Sequence, residues 1–191
     1  MTDYSKLDYW EERYETHSDP FDWYQIYSTL KEKIGSFIKT TDKILVLGAG
    51  TSSKNIFLKE FLLFKILALS ESLYEEGITN ITNIDYSPSV VKLMQNRYHE
   101  MGCNIEYKEM NVTDMSDLKN NEFNVIIDKG TLDSVLCGEN SIPLVDKMMR
   151  EVYRLLDNNG AYFCISYADE DHRKTFFVNF NFFFNNFLNF R

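Results

Sequence analysis

Cysteine is scarce: Cys103, Cys137 and Cys164 are the only three in 191 residues, and they stand far apart. No CxxC pair occurs, so neither a disulfide framework nor a structural zinc site is expected, and no metal is called for. Runs of Lys or Arg are also missing, and the formal net charge is −9. A chain so charged has no field with which to gather nucleic acid; a basic protein is the better-matched partner. Long apolar runs are absent as well. The most hydrophobic stretch, Ile56 to Leu69, is broken by Lys59, Glu60 and Lys65 and cannot span a bilayer. The opening MTDYSKLDYWEERYE is acidic and aromatic, unlike a secretory or transit peptide. The expectation is a soluble, cytoplasmic monomer with no membrane and no nucleic-acid partner.

What is present is a hydrophobic fraction of 44% on a length suited to one domain. Strand and helix signals alternate through the middle of the chain. Lys43–Leu47 is a short aliphatic run ending at a glycine, as a buried parallel strand does. Further strands are predicted at Asn80–Asp85, Ile105–Met110, Phe123–Asp128 and Ala161–Tyr167. Ser87-Pro88 supplies an N-cap and a first-turn proline for a helix bearing Val90, Val91, Met94 and Tyr98 on one face. Another helix starts near Pro143 with Val145, Met148, Met149, Val152 and Leu156, and Asn158-Asn159-Gly160 is expected to stop it. Ahead of the first strand, Ile26, Leu30, Ile34 and Ile38 lie in register for a helix over Asp22–Ile38. Such alternation predicts an α/β, Rossmann-like fold: a mostly parallel twisted sheet with helices on both faces. Three parts are expected: an aromatic N-terminal segment over 1–40, a core over 41–170, and a tail over 171–191. No internal repeat is found.

In sheets of this kind, ligands bind beyond the carboxyl ends of the strands. After the first strand comes Gly48-Ala49-Gly50, which lets a backbone approach a ligand closely, or simply makes a tight strand–helix turn. Ser53 occupies the place of the third glycine of a dinucleotide fingerprint, which weighs against a nicotinamide cofactor without removing that rival. Asp85 ends the second strand, where a carboxylate can accept both hydroxyls of a ribose or merely cap the next helix. Tyr86 could lie against an adenine, and Asn111-Val112 follows the third strand, where an amide can meet the adenine edge. Together, three such groups at three successive strand ends point to an adenosine.

Trp10-Glu-Glu-Arg-Tyr14 with Pro20-Phe-Asp-Trp23, Ile44 through Ser52, Asp85-Tyr-Ser87 and above all Asp128-Lys-Gly-Thr-Leu-Asp133 carry a family resemblance. The chain resembles the seven-β-strand class I methyltransferases that modify lysines of translation elongation factor 1-alpha, including their endothelin-converting-enzyme-2-related branch. The similarity covers roughly Tyr9 to Ala168. It implies S-adenosyl-L-methionine as cofactor and a protein lysine, such as one of elongation factor 1-alpha, as acceptor. By the same resemblance Trp10, Tyr14 and Trp23 close over the cofactor and Gly48 lies under its methionine part; Gly50, in the same turn, is a cofactor-binding candidate from the glycine reading above. Asp85 and Tyr86 contact ribose and adenine, Asn111 and Val112 the adenine, and Lys129 sits beside the cofactor. Aromatic faces suit a sulfonium cation, worth roughly 0.5–2 kcal/mol each.

Methyl transfer to an amine needs positioning and a neutral nucleophile more than acid–base machinery. Asp128 and Asp133 flank the turn leaving the fourth strand and are the candidate catalytic acids; Asp128 is expected to contact the substrate, while either could cap the turn. The absence of an N/D-P-P-Y/F/W motif argues against a nucleic-acid base as acceptor. Two departures from the family stand out. The segment 53–68 reads as an insertion that makes the helix after the glycine turn too long. Phe176–Phe190 is low in complexity and uncharged, where the family would place a helix and two strands. It reads as a truncated end, with use as an edge strand the alternative, and an open sheet edge would invite aggregation. A catalytically impaired cofactor-binding or scaffold protein is therefore the second reading.

Overall fold

A computed structural model describes residues 3–16, 23–51, 69–178 and 188–189. Six strands pair in the order β3-β2-β1-β4-β5-β6, all parallel. They are β1 Ile44–Leu47, β2 Ile81–Asp85, β3 Glu106–Glu109, β4 Phe123–Lys129, β5 Leu156–Ser166 and β6 Leu188–Asn189. All four residues of β1 are buried. Strand alternation sends Ile44 and Val46 to one face and Leu45 and Leu47 to the other, and each face has its own core.

On the first face lie α2 (Tyr27–Ile34), α3 (Leu69–Glu75) and α4 (Pro88–Met101). They contribute Leu30, Ile34, Leu73 and the predicted row Val90, Val91, Met94 and Tyr98. The Ser87 hydroxyl caps α4 by accepting the Val90 amide at 3.1 Å, and Gly102 closes the helix at φ 66°. The second face is covered by α5 (Thr131–Leu136) and α6 (Ser141–Leu155), which bury Leu132, Val145, Met148, Met149, Val152 and Leu155. Helix α1 (Leu7–Thr16) lies outside these layers, where the Glu11 carboxylate accepts the Ser87 and Ser89 hydroxyls at the start of α4.

The structure redraws several predicted boundaries. The helix expected over Asp22–Ile38 spans only Tyr27–Ile34, followed by a 3-10 turn at Gly35–Phe37. Ile26 is extended and half exposed, and Tyr27 takes the core position instead. Upstream, Tyr24 at φ 63° interrupts the helical register. Helix α6 runs directly into β5, so Asn158-Asn159-Gly160 lies inside a strand, with a register shift between Phe123 and Val125. Beyond Tyr167 the chain forms α7 (Glu170–Lys174), and Phe177 packs on Tyr162 with ring centroids 5.8 Å apart. The edge of β5 is not left bare: β6 pairs Leu188 with Ile165 and Asn189 with Ser166. The segment 53–68, Pro20-Phe-Asp22 and 179–187 lie outside the described residues. Among the described residues no helix is long and apolar enough to cross a membrane.

Strand β1 has β2 on one side and β4 on the other, so the winding reverses there. A crevice between the carboxyl ends of β1 and β4 follows from that order.

Candidate active site

Gly48 and Gly50 leave β1 at φ 53° and 59°, conformations in which glycine has no Cβ to clash. Space demands glycine as much as angle does. A Cβ on Gly48 would stand 2.3 Å from the Thr131 hydroxyl, and one on Gly50 3.2 Å from that of Tyr14. Thr131 donates to the Leu47 carbonyl at 2.9 Å, pinning α5 to the end of β1. The Tyr107 hydroxyl rises from β3 to donate to the Gly50 carbonyl.

Asp85 closes the floor beside this turn and is buried. One oxygen accepts the Gly50 amide at 2.9 Å and the other the Ser87 amide at 3.0 Å. Each carboxylate oxygen has two acceptor directions, so a pair of ligand hydroxyls can still be received. Burial pushes the carboxyl up to about 6, opposed by the Ser87, Gly50 and Tyr86 amides. Beyond β3, Asn111 accepts the Thr113 amide and hydroxyl, both at 2.9 Å, which fixes the turn that presents Met110 and Val112 to the crevice.

The cover comes from the N-terminal segment. Trp10 is buried, donates its indole N–H to the Tyr4 carbonyl at 2.7 Å, and stacks on Tyr14 with centroids 5.8 Å apart. Trp23 meets Trp10 at 6.3 Å and Tyr4 at 5.6 Å. Lys129 Nζ donates to the Trp23 carbonyl at 2.9 Å, and burial lowers its ammonium to about 8. One cavity of about 210 Å³ results, and Trp10, Tyr14, Trp23, Gly48, Gly50, Asp85, Tyr86, Asn111, Val112 and Lys129 all line it. A buried carboxylate flanked by neutral donors, a glycine cradle and four aromatic rings fit the ribose, backbone and sulfonium of S-adenosyl-L-methionine. Among the described residues no group of His, Cys, Asp or Glu could hold a metal ion.

Asp128 and Asp133 do not belong to that lining. Asp128 is fully buried, accepting the Thr131 amide at 2.8 Å, the Leu132 amide at 3.1 Å and the Tyr162 hydroxyl at 2.9 Å. It ties the first turn of α5 to β4 and β5 and presents no oxygen to the crevice; burial first of all pushes its carboxyl up to about 7. Asp133 faces Tyr24, Ser166 and Arg173 instead. The expected substrate contact by Asp128 is thus replaced by capping, for which the spacing Asp128-x-x-Thr131 was the readable signal.

Tyr4, Ser5, Arg13, Ser70, Tyr107 and Thr131 also line the cavity and were not picked out from sequence. Alternation along β3 could have turned Tyr107 inward. Tyr4 and Ser5 precede α1, and the Trp10 indole and the Tyr86 hydroxyl donate to their carbonyls.

Residues 38–188 match a family model described as a methyltransferase domain. The mouse protein named eEF1A lysine and N-terminal methyltransferase is 36% identical over 169 residues, covering 87% of this chain and 22% of that protein. Mouse EEF1A lysine methyltransferase 4 is 31% identical over 180 residues, covering 89% of this chain and 64% of that protein. The chain thus spans about a fifth of the first relative and under two thirds of the second. Among solved structures, an S-adenosylmethionine-dependent methyltransferase from Clostridium acetobutylicum superposes with TM-score 0.51 and 15% identity, over 70% of this chain and 46% of that one, a likeness of fold alone. The glycine turn, the acid ending β2 and the matched span lead to one conclusion: the chain belongs to the methyltransferase-domain family and has the Rossmann-like class I fold.

Proposed function

We propose that the protein is an S-adenosyl-L-methionine-dependent methyltransferase whose acceptor is a lysine of another protein, with translation elongation factor 1A the first candidate. The observation that carries this reading is the single crevice at the β1/β4 switch point, floored by Gly48, Gly50 and Asp85 and roofed by Trp10, Tyr14 and Trp23. The relatives named for lysine methylation of eEF1A supply the choice of acceptor.

The cofactor, when bound, supplies an electrophilic methyl group on a sulfonium. The chain must then orient an amine and keep it uncharged, since an ammonium has no lone pair to attack. Free lysine ionises near 10.4. Burial alone brings resident Lys129 to about 8 at the edge of this crevice, and the same aromatic walls act in the same direction on an incoming side chain. Desolvation, rather than a carboxylate base, therefore delivers the neutral nucleophile; Asp128 and Asp133 are engaged elsewhere. Orientation of the reacting pair can contribute ~7–11 kcal/mol. Cytosolic residence is part of the same proposal, and Cys103, Cys137 and Cys164 are free thiols, as a reducing compartment leaves them.

The test is incubation of the protein with deuterated-methyl cofactor and purified elongation factor 1A, followed by mass spectrometry of lysine peptides. A labelled methyl on lysine is expected. Cofactor binding with no label on any protein of a cytosolic extract would favour a scaffold instead.

A further inference from the structure

Asp133 stands outside the crevice, yet its carboxylate gathers the parts that cover it. One oxygen accepts the Tyr24 hydroxyl at 2.6 Å and the Tyr167 amide at 2.8 Å. The other accepts the Ser166 hydroxyl at 2.6 Å and the Arg173 guanidinium, whose Nε also donates to Ser166 at 2.7 Å. Both side chains of the Asp133–Arg173 pair are largely withdrawn from solvent. Strand β5, helix α7 and the lid segment thus meet on one carboxylate.

Tyr24 is the strained member of this set. Its φ of 63° is left-handed, a conformation that a bulky residue adopts only where its surroundings enforce it. Three contacts enforce it. The Tyr24 hydroxyl bonds to Asp133, the Lys129 ammonium bonds to the Trp23 carbonyl, and both rings rest on Gly130. A Cβ there would come within 3.4 Å of Tyr24 and 3.5 Å of Trp23. All three contacts come from Lys129–Asp133, the stretch that ends in one of the two acids expected to do chemistry.

We propose that Asp133 is a positioning residue: by holding Tyr24 it fixes Trp23 over the crevice, and Arg173 holds the carboxylate in place. The Lys129–Asp133 stretch is on this account the dock of the lid. The inference rests on the crevice being the cofactor site, but the anchoring can be read without any ligand. Trp10 and Trp23 are the only tryptophans in the chain, so indole emission reports the cover directly.

The experiment uses the full chain and Tyr24→Phe, which removes one hydroxyl and keeps the ring. Emission maximum and acrylamide quenching are measured on ligand-free protein, with circular dichroism and melting as controls, and S-adenosyl-L-homocysteine is then titrated by calorimetry. Tyr24→Phe is expected to shift emission to the red, increase quenching and weaken binding about tenfold, the scale of one hydrogen bond to a charged group, with the melting point little changed. Asp133→Asn should act in the same direction, and Tyr24→Phe decides the matter if that variant folds poorly. Unchanged emission and quenching in Tyr24→Phe would overturn the proposal. Exposed indoles in the variant with no S-adenosyl-L-homocysteine binding by the wild type would uphold the anchoring and overturn the cofactor reading instead.

Discussion

The floor and the cover of the crevice are held by different kinds of bond. Gly48, Gly50, Asp85 and Thr131 are fixed through backbone amides and carbonyls at the ends of buried strands. The cover is a set of rings, Tyr4, Trp10, Tyr14 and Trp23, joined to the core by a few side-chain bonds from Glu11, Tyr24 and Lys129. Changes to the floor must therefore disturb fold and binding together, whereas changes to the cover can alter binding alone. A small domain gains a rigid cradle and an adjustable lid from the same crevice by this division.

Gly48→Ala should break the floor most severely. Its Cβ meets Thr131 and its backbone is left-handed, so we expect a loss of ~2–4 kcal/mol in stability and no measurable cofactor binding. Thermal melts and calorimetry check this; near wild-type values for both would show that the turn yields to a methyl group against Thr131.

Asp85 gives the next effect, with a sign that separates fold from binding. Its carboxyl is raised from 3.8 to about 6. The native state then takes up a proton that the unfolded chain does not, so this stabilising contribution is complete below about 3.8 and is lost as pH rises through about 6. Accepting ribose hydroxyls favours the ionised form, so cofactor affinity should instead rise through the same interval. Asp85→Asn should flatten both trends, measured as its difference from wild type between pH 5 and 7.5, and should weaken binding ~100-fold because its single acceptor oxygen cannot serve the Gly50 and Ser87 amides and two ribose hydroxyls together. Parallel pH profiles for the two proteins would remove the ribose assignment.

Trp10→Leu tests the cover. We expect cofactor affinity to drop ~10-fold through the lost cation–π and stacking contacts, with the sheet intact by circular dichroism. The smallest effect on binding is predicted for Asp128→Asn, within about threefold, alongside a stability loss of ~1–3 kcal/mol from the capped turn. Abolished turnover with normal stability and binding would restore Asp128 to the chemistry.

Gly48, Gly50 and Asp85 are legible in the sequence because each ends or closely follows a short aliphatic or β-branched run, and the strand-end rule then places it; Thr131, behind Asp128-Lys-Gly130, carries no such signal. Gly48, Asp85 and Asn111 needed only that local signal. The cover was readable through the Trp10–Tyr14 spacing and the family motif, but Tyr4 and Ser5 join it through carbonyl bonds that no side-chain pattern encodes. Asp128 and Asp133 stay open in the sequence between chemistry and turn capping for a related reason. A carboxylate beside a turn looks the same on paper whether it points into the cleft or back under the helix. The partners that decide the matter, Tyr162 and Arg173, lie on β5 and α7, remote in the chain.

Those remote partners also set the order in which the site can be completed. Glu11 must find Ser89, and Tyr24 must find Asp133, across sequence separations of 78 and 109 residues. Closing such long loops is slow. Trp10 and Trp23 precede by far the groups that anchor them: Lys129 lies 106 residues beyond Trp23, and Asp133 lies 109 beyond Tyr24. We expect hydrogen exchange during refolding to protect amides of β1 and β4 before those of α1, leaving the aromatic segment as the last surface to be covered and the one most in need of a chaperone while synthesis proceeds.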